Sequence, residues 1–198
     1  MPEKTIIGLC GCTGSGKSTV ASLFAMYGAH IVDCDDISHN VTKKGSKCLD
    51  ELVEHFGKDI LNEDGSLKRK YLANIVFESS EERTVLEQIT HKYILEQVFD
   101  ELNSNEGLIL VDAPLLFESG LDMMCDYTVV VTADEKVRLK RIVSRDDIDE
   151  ELAMKRIRSQ TDERELVEKC DFVIHNNANV KKLNTQIKSV IDRIAETK

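Results

Sequence analysis

Eight residues near the start of the chain, Gly11-Cys-Thr-Gly-Ser-Gly-Lys-Ser18, have the types and the spacing needed to hold a polyphosphate. They fit the pattern G-x-x-x-x-G-K-[ST], whose backbone N–H groups surround phosphate oxygens together with the positive end of the following helix. We expect Lys17 to reach the β- and γ-phosphates of ATP, and Ser18 to ligate Mg²⁺. The predicted nucleotide contacts are Cys12, Thr13, Gly14, Ser15, Gly16, Lys17, Ser18 and Thr19.

A glycine-rich turn that binds nothing is the alternative for this segment. It would leave the ammonium group of Lys17 unpaired in a concave site, and an unpaired charge away from water costs free energy. The pattern also stands in the context that it requires. Residues 5–10 are an apolar run that predicts a buried strand, and residues 16–27 carry apolar side chains at helical spacing before a capping Gly28. We therefore favour a phosphate site.

Two acids follow the second predicted strand, residues 30–33. Because Asp33 and Asp35 are two residues apart, an extended chain would project both carboxylates to the same side, at the edge where open α/β sheets bind ligands. One could orient or deprotonate an attacking hydroxyl while the other helps to hold a metal ion. Alternatively, Asp33, Asp35 or Asp36 caps the next helix. We favour the cap for Asp36 and chemistry for Asp35.

Asp112 ends another apolar run, residues 108–112. This is the position at which P-loop proteins place a second metal-holding carboxylate, and we predict that Asp112 holds Mg²⁺ together with Ser18. A strand-end acid can also simply cap the chain that continues from Leu115. Both interpretations stay open from the residues alone.

Three arginines share one face of a helix predicted over residues 134–145, because Arg138, Arg141 and Arg145 are spaced at i, i+3 and i+7. Such a stripe is commonly a solvated face whose charges pair with neighbouring acids. Beside a phosphate loop, it can instead supply the positive charge that stabilises a transferring phosphoryl group. We favour this second role for Arg141 and Arg145.

The elements that must position these residues alternate between strands and helices, which is typical of a three-layer α/β fold with a parallel sheet. About seventy residues separate the second strand from the third, far more than one crossover helix needs, so they must form a subdomain. Helical spacing over residues 49–56 and 86–102 and a turn at 62–65 lie within it. Residues 134–145 and 150–169 are predicted to be helical and to form a lid. The five predicted strands are residues 5–10, 30–33, 108–112, 127–132 and 172–174.

The whole chain of 198 residues has the composition of a compact folded protein, with 41% hydrophobic and 31% charged residues. Its formal net charge of -10 argues against a nucleic-acid partner, because phosphate-backbone binding needs a broad basic surface. No apolar stretch is long enough for a membrane span and the N-terminus lacks a signal-peptide pattern, so we expect a cytoplasmic protein with no membrane partner. The six cysteines include no C-x-x-C pair, which favours reduced thiols.

Taken together, these segments resemble the dephospho-CoA kinase family over nearly the whole chain. The most specific matches are the Asp-x-Asp in Val32-Asp-Cys-Asp-Asp-Ile-Ser-His39 and the run Asp112-Ala-Pro-Leu-Leu-Phe-Glu118. Further matches are the phosphate loop, Phe56-Gly-Lys-Asp-Ile-Leu61, Asp64-Gly65, Leu67-Lys-Arg69, Ile89-Thr-His91, Arg145-Asp146, and Arg156-Ile157 with Gln160.

The resemblance implies ATP-dependent phosphorylation of the ribose 3′-hydroxyl of dephospho-CoA, which gives CoA and ADP in the last step of coenzyme A biosynthesis. ATP and Mg²⁺ are the implied cofactors. Asp35 would act on the acceptor hydroxyl, Lys17 and Arg141 would neutralise the phosphoryl group, and Arg145 would join the nucleotide contacts. The implied acceptor contacts are Asp33, His91, Leu115, Leu116 and Glu118.

The resemblance also implies one P-loop NTPase domain over residues 1–198 that contains three regions. The core would comprise residues 1–37, 106–135 and 170–198. Residues 38–105 would be a helical insertion that binds the acceptor, and residues 136–169 a helical lid. We expect a monomer or a weak homo-oligomer.

Three positions depart from the family pattern. Lys92 stands where a proline is usual, Cys12 occupies a variable position of the phosphate loop, and residues 175–178 read His-Asn-Asn-Ala. The first and third concern local loop geometry and adenine contacts. None of the three removes a residue that phosphoryl transfer requires.

Two other functions fit parts of the sequence. Another small-molecule P-loop kinase, acting on a nucleoside, a nucleotide or a metabolite such as shikimate, would share the phosphate loop, but the long insertion and the Asp-x-Asp favour a long acceptor. A GTP-binding switch would need an Asn-Lys-x-Asp and an Asp-x-x-Gly after the third strand. The sequence has neither, since Asp112 is followed by Ala-Pro-Leu.

Overall fold

The computed structural model of the protein describes residues 4–160, 162–177 and 179–197. Within them the chain forms two compact units, one made of Asp33–Ser104 and the other of the residues up to Val32 together with those from Asn105 onward. The first three residues of the N-terminus, and Ala178 of the departure at residues 175–178, lie outside the described residues.

A five-stranded sheet forms the centre of the discontinuous unit, in the order β2-β3-β1-β4-β5. β1 pairs in parallel with β3 and β4, and β4 pairs in parallel with β5. All five strands were predicted from their apolar runs, and each begins and ends within one residue of its predicted limits. The strands are β1 (Lys4–Gly11), β2 (His30–Asp33), β3 (Gly107–Asp112), β4 (Tyr127–Thr132) and β5 (Phe172–His175).

Nine α-helices accompany the strands in the described part of the chain. In chain order they are α1 (Lys17–Met26), α2 (Cys34–Val41), α3 (Lys47–Phe56), α4 (Arg69–Glu78), α5 (Ser80–Ser104), α6 (Glu135–Asp146), α7 (Glu150–Arg158), α8 (Glu163–Lys169) and α9 (Val180–Thr197).

The two faces of the sheet are covered by different elements, because successive side chains of a strand point to opposite faces. Ile7 and Leu9 of β1 belong to a fully apolar core with residues of α1 and α9, such as Phe24 and Ile187. Each such buried side chain contributes roughly 1.5–3 kcal/mol relative to an exposed one. The alternate residues of β1 face the opposite layer, where a Cβ on Gly8 would lie 2.8 Å from the Leu116 side chain. The predicted three-layer arrangement is confirmed.

The unit Asp33–Ser104 is helical, and α5 packs against α2, α3 and α4. The predicted helices over residues 49–56 and 86–102 correspond to α3 and α5. Ser46 caps α3, since its hydroxyl accepts a hydrogen bond from the Leu49 amide at 3.1 Å. The predicted turn at residues 62–65 is closed by the Gly65 amide, which donates to the Asn62 carbonyl at 2.9 Å.

The prediction of one continuous helix over residues 150–169 is wrong, because α7 ends at Arg158 and α8 begins at Glu163. Asp162 starts the second helix by accepting a hydrogen bond from the Arg164 amide at 3.0 Å. A side chain that caps a helix competes with continuation of the helix before it, and apolar spacing alone does not reveal that choice. Among the described residues, no helix combines the length and the apolar character that crossing a membrane requires.

Candidate active site

The glycine-rich loop joins the end of β1 to the start of α1, as its sequence context predicted. Gly16 stands immediately before α1 with φ of 87°, in the left-handed region that glycine adopts without strain. A Cβ at Gly16 would lie 2.2 Å from Asn176 Nδ2, and one at Gly14 would lie 2.8 Å from the Arg138 carbonyl oxygen. Both glycines are therefore required by close packing around the loop as well as by backbone conformation.

The amide groups at the start of α1 are available to an anion. Ser15 N–H donates to the Cys12 carbonyl at 3.0 Å, whereas the amides of Gly16, Lys17 and Ser18 find no acceptor among the described residues. The first turn of α1 contains no acidic side chain. Free amides and the positive end of the helix dipole together favour a phosphate group at this position.

Lys17 and Asp112 form an ion pair that connects the first residue of α1 with the last residue of β3. Asp112 is buried, and its strand position lies beside Leu9 of β1. The carboxylate therefore stands next to the phosphate loop at the carboxyl edge of the sheet, where a metal-holding acid is needed.

Two arginines of α6 donate hydrogen bonds to backbone carbonyl groups of the phosphate loop. Arg138 is buried and donates from Nε to the Thr13 carbonyl at 3.0 Å, and its Nη1 lies 3.4 Å from Glu163 Oε1. Arg141 donates from Nη1 to the carbonyl oxygens of Gly14 and Ser15, at 3.1 Å each. The negative ends of these carbonyl groups are thus compensated by fixed positive charge.

Arg145, the third member of the predicted stripe, does not join this group. Its side chain is 62% exposed and binds the carboxylate of Asp146, which also accepts from Arg156 at 2.6 Å. These contacts, the Arg145 hydrogen bond first among them, hold the pKa of Asp146 below its usual value. Sequence spacing placed the three arginines on one face, but only the first two of them reach the loop.

Asn176 is a site residue that was not among the predicted contacts, although it lies in the stretch 175–178 that departs from the family pattern. It is 5% exposed, its Nδ2 donates to the Ser15 carbonyl at 2.7 Å, and its own carbonyl accepts from Arg141 Nη2 at 2.9 Å. Gln160 completes the support, because its Oε1 accepts from the Thr13 amide at 2.8 Å. The sequence did contain an indication for Asn176, because it is a polar residue directly after a predicted strand, at the carboxyl edge of the sheet.

The expectation that Asp33 and Asp35 project side by side from an extended chain is wrong. The strand ends at Asp33 and α2 begins at Cys34, so Asp35 lies in the first helical turn. The preferred cap, Asp36, is wrong as well. Asp33 is the cap, since its Oδ1 accepts from the amides of Asp35 and Asp36 at 2.9 Å and 3.1 Å. The carboxylate of Asp35 is left exposed to solvent at the start of the helix.

The remaining predicted acceptor contacts occupy different environments. Leu115 is 62% exposed, and Glu118 is also exposed, whereas Leu116 is fully buried and packs beside Gly8. His91 lies in the middle of α5 and is half-buried.

The donor set beside the phosphate loop fits a magnesium ion that is bound mainly through phosphate oxygens. Among the described residues, no group of three or more His, Cys, Asp or Glu side chains could hold a metal ion by itself. Mg²⁺ in such sites needs one or two protein oxygens, because phosphates and water supply the rest. Ser18 and Asp112 provide a hydroxyl and a carboxylate of this kind.

Cys12 places a neutral thiol in the loop. Burial raises the pKa of Cys12 above its usual value, and the nearby Arg138 only partly opposes this effect. The thiol therefore adds no negative charge that would repel a phosphate group.

The glycine-rich loop, the Lys17–Asp112 pair and the arginines of α6 meet at the carboxyl edge of a β2-β3-β1-β4-β5 sheet, and this arrangement defines a P-loop kinase. A family model described as dephospho-CoA kinase matches residues 5–182. The chain belongs to the dephospho-CoA kinase family, whose members are transferases.

Individual relatives agree with this assignment. The chain is 39% identical over 196 residues to the dephospho-CoA kinase of Listeria innocua, covering 97% of this chain and 98% of the relative. It is 40% identical over 194 residues to that of Fusobacterium nucleatum, covering 97% of each.

Solved structures match over the same extent. The dephospho-CoA kinase from Campylobacter jejuni superposes with a TM-score of 0.72 at 28% identity, covering 98% of both chains. TT1252 from Thermus thermophilus gives a TM-score of 0.82 at 29% identity, covering 96% of this chain and 97% of that one. A shikimate kinase from Acinetobacter baumannii, at 17% identity and a TM-score of 0.58, shares the fold alone.

Proposed function

We propose that this protein transfers the γ-phosphoryl group of ATP to the ribose 3′-hydroxyl of dephospho-CoA, giving CoA and ADP in the last step of coenzyme A biosynthesis. The observation that carries the proposal is a phosphate loop with its Lys17–Asp112 pair in a chain that belongs to the dephospho-CoA kinase family.

The phosphate loop supplies the binding and charge neutralisation that phosphoryl transfer needs. The amides of Gly16, Lys17 and Ser18 bind phosphate oxygens, and the ammonium group of Lys17 reaches the β- and γ-phosphates. Arg141 keeps its positive charge next to the loop through its bonds to the Gly14 and Ser15 carbonyls. The full set of proposed nucleotide contacts is Cys12, Thr13, Gly14, Ser15, Gly16, Lys17, Ser18, Thr19 and Arg145.

Ser18 and Asp112 are the residues that would hold Mg²⁺. When bound, the ion neutralises charge on the β- and γ-phosphates of ATP. Because Asp112 already binds Lys17, the two side chains position each other as well as the nucleotide.

Asp35 orients the acceptor hydroxyl and accepts its proton. An exposed carboxylate in the first turn of a helix, with its backbone fixed by the Asp33 cap, can present an oxygen to an incoming hydroxyl. The acceptor residues that the resemblance implies are Asp33, His91, Leu115, Leu116 and Glu118. Of these, Leu115 and Glu118 are exposed for direct contact, while the buried Leu116 fixes the turn that carries them.

The proposed roles of the larger segments follow from the family. Residues 38–105 would hold the pantetheine and adenosine parts of the acceptor, and residues 136–169 would close over the nucleotide and exclude water. We propose a cytoplasmic monomer or weak homo-oligomer with no nucleic-acid or membrane partner.

ATP-dependent ADP release with Mg²⁺ tests the proposal, with dephospho-CoA, AMP, adenosine and shikimate compared as acceptors. Only dephospho-CoA should stimulate turnover, and the product should carry the new phosphate on the 3′-oxygen by NMR. Stimulation by another acceptor instead would leave a P-loop kinase but overturn the substrate.

The role of Asp35 is tested by comparing Asp35→Asn with Asp36→Asn. Both carboxylates are exposed and both amides bind Asp33, so the variants differ chiefly in which carboxylate is lost. We expect kcat to fall about a hundredfold to ten-thousandfold for Asp35→Asn, the scale of general-base catalysis, and to change little for Asp36→Asn. Equal effects would remove the proposed role.

A further inference from the structure

Two cysteine thiols lie close together where β1 leads into the phosphate loop. Neither has a role in the proposed phosphoryl transfer. Cys10 Sγ lies 3.7 Å from Cys170 Sγ. Cys10 is a fully buried residue of β1, one residue before Gly11, and Cys170 is a half-buried residue between α8 and β5.

The fold explains why residues 160 positions apart come together. Cys10 points to the face of the sheet opposite Ile7 and Leu9, and α8 packs on β1 and β4, so the end of α8 delivers Cys170 to the Cys10 side chain. In the described part of the chain, the pair belongs to no cluster that could hold a metal ion. Two thiols at this separation, with no further metal ligand beside them among the described residues, can be oxidised to a disulfide.

We propose that Cys10 and Cys170 are a reversible dithiol, and that a small-molecule disulfide oxidises them to an internal disulfide that weakens ATP binding at the phosphate loop. The effect on ATP rests on the proposed function of that loop, whereas formation of the disulfide does not.

Cys170 is the thiol that reacts first. It is half-buried rather than fully buried, and a hydrogen bond from Cys10 holds the pKa of Cys170 below its usual value. The pKa of Cys10 is raised, chiefly by its hydrogen bond to Cys170 and by burial, and the full burial of Cys10 leaves Cys170 as the thiol that a small molecule reaches first. The thiolate is the nucleophile in thiol–disulfide exchange.

The exchange is balanced in two steps. The Cys170 thiolate attacks one sulfur of the small-molecule disulfide, forms a mixed disulfide and expels one small thiolate. Cys10 then loses its proton to that thiolate or to solvent, attacks the Cys170 sulfur and expels the second thiolate. Two protein thiols are oxidised, and one disulfide is reduced to two thiols.

In the proposed disulfide, Cys10 is drawn toward Cys170 at the position where β1 leads into the phosphate loop. The two sulfur atoms have to approach from 3.7 Å to about 2.05 Å. The next residue, Gly11, has little room, since a Cβ there would lie 2.6 Å from the Val131 carbonyl oxygen and 3.0 Å from Ser15 Oγ. A displacement of Cys10 therefore also displaces Gly11 and the phosphate loop that begins there.

Incubation of the full chain in glutathione buffers of increasing oxidised fraction tests the proposal, followed by alkylation, trypsin digestion and mass spectrometry. The expected product is residues 5–17 joined to residues 170–181, formed by the wild-type chain and by Cys12→Ala but not by Cys170→Ala. Binding of a fluorescent ATP analogue, measured in parallel without any acceptor, should weaken on oxidation and recover fully with dithiothreitol. Cys48→Ala is the matched control, since Cys48 is a buried cysteine of the other unit and its loss should leave the response unchanged.

Several outcomes would overturn the proposal. Separate alkylation of Cys10 and Cys170 throughout the series would show that the thiols do not pair, as would a link from Cys170 that disappears in Cys12→Ala. A Cys10–Cys170 link with unchanged affinity for the ATP analogue would remove its effect on the loop. If the wild-type chain never binds the analogue even when reduced, the proposed function fails, while the linked peptides still report on the disulfide.

Discussion

The ammonium group of Lys17 donates to the carboxylate of Asp112, so that the first residue of α1 is bound to the last residue of β3. Asp112 is buried and Lys17 is only partly exposed. A charge at either position therefore depends on its partner, because an isolated buried charge is strongly disfavoured. The pair therefore fixes the two side chains relative to each other, where the end of β3 meets the start of α1.

Asp112→Asn should lower kcat by on the order of a hundredfold, the scale of losing one preorganised electrostatic contact. It should also raise the Mg²⁺ concentration needed for half-maximal activity. Asp126→Asn is the control, because Asp126 lies at the opposite edge of the sheet, where its carboxylate accepts from the Ile6 amide at 2.8 Å. An unchanged Mg²⁺ dependence in Asp112→Asn would contradict the metal-holding role.

Gly16→Ala should abolish ATP binding, whereas Gly28→Ala should leave it intact. Both glycines have φ of 87°, so both substitutions carry the same left-handed backbone cost of about 1 kcal/mol. They differ in space, because a Cβ at Gly16 would lie 2.2 Å from Asn176, whereas a Cβ at Gly28 would meet no atom of the described residues beyond its chain neighbours within 4 Å. Thermal unfolding and titration with an ATP analogue measure the two effects. Similar losses of affinity would show that backbone strain alone accounts for the glycine at position 16.

Asn176→Ala should raise KM for ATP and lower stability by about 0.5–1.5 kcal/mol, since it removes the side-chain bonds to the Ser15 carbonyl and to Arg141 Nη2. The Ser15 carbonyl keeps its bond from Arg141 Nη1, and Arg141 Nη2 keeps its bond to the backbone carbonyl of residue 176. The neighbouring Asn177 is exposed and binds Asp134, away from the loop. Asn177→Ala should therefore affect stability only slightly and KM not at all. Steady-state kinetics with denaturant unfolding separates these outcomes, and equal KM values for the two variants would refute a positioning role for Asn176.

The carboxylate of Asp146 should titrate below the usual range of an aspartate, because Arg145 and, to a lesser extent, Arg156 stabilise its charged form. The folded-state pKa is depressed, so the pair stabilises the fold above about pH 4 and this contribution is lost as pH falls through the lower folded pKa. Carbon NMR of the Asp146 carboxyl group measures the pKa directly.

Arg145→Gln should return the pKa of Asp146 toward its usual value, and Arg158→Gln, at the end of α7, should not. If Arg145 also contacts ATP, the first variant will raise KM for ATP as well. A raised KM with an unmoved pKa would show that the Asp146 contact is incidental to the function of Arg145.

Local sequence determined most of the fold. The five strands were predictable because each is an apolar run bounded by polar or glycine residues, and the sheet accepts such runs with little change at their ends. The prediction of an extended chain was wrong from Cys34 onward. The chain turns helical there because the Asp33 side chain binds the amides that follow it, and an acid after a strand looks the same in sequence whether it continues the strand or caps a helix.

The sequence by itself determined the phosphate loop, its strand and helix, and the family to which the chain belongs, since these depend on residue types at short spacings. The tertiary structure decided which distant side chains support the loop. Arg138 and Arg141 reach the loop while Arg145 does not, and Asn176 binds it from the end of another strand. The tertiary structure also places Cys170 beside Cys10. These contacts join residues more than a hundred positions apart. The contacts of Arg138, Arg141 and Asn176 exist because parallel strands bring their carboxyl ends to one edge of the sheet, and that of Cys170 exists because α8 packs on β1 and β4.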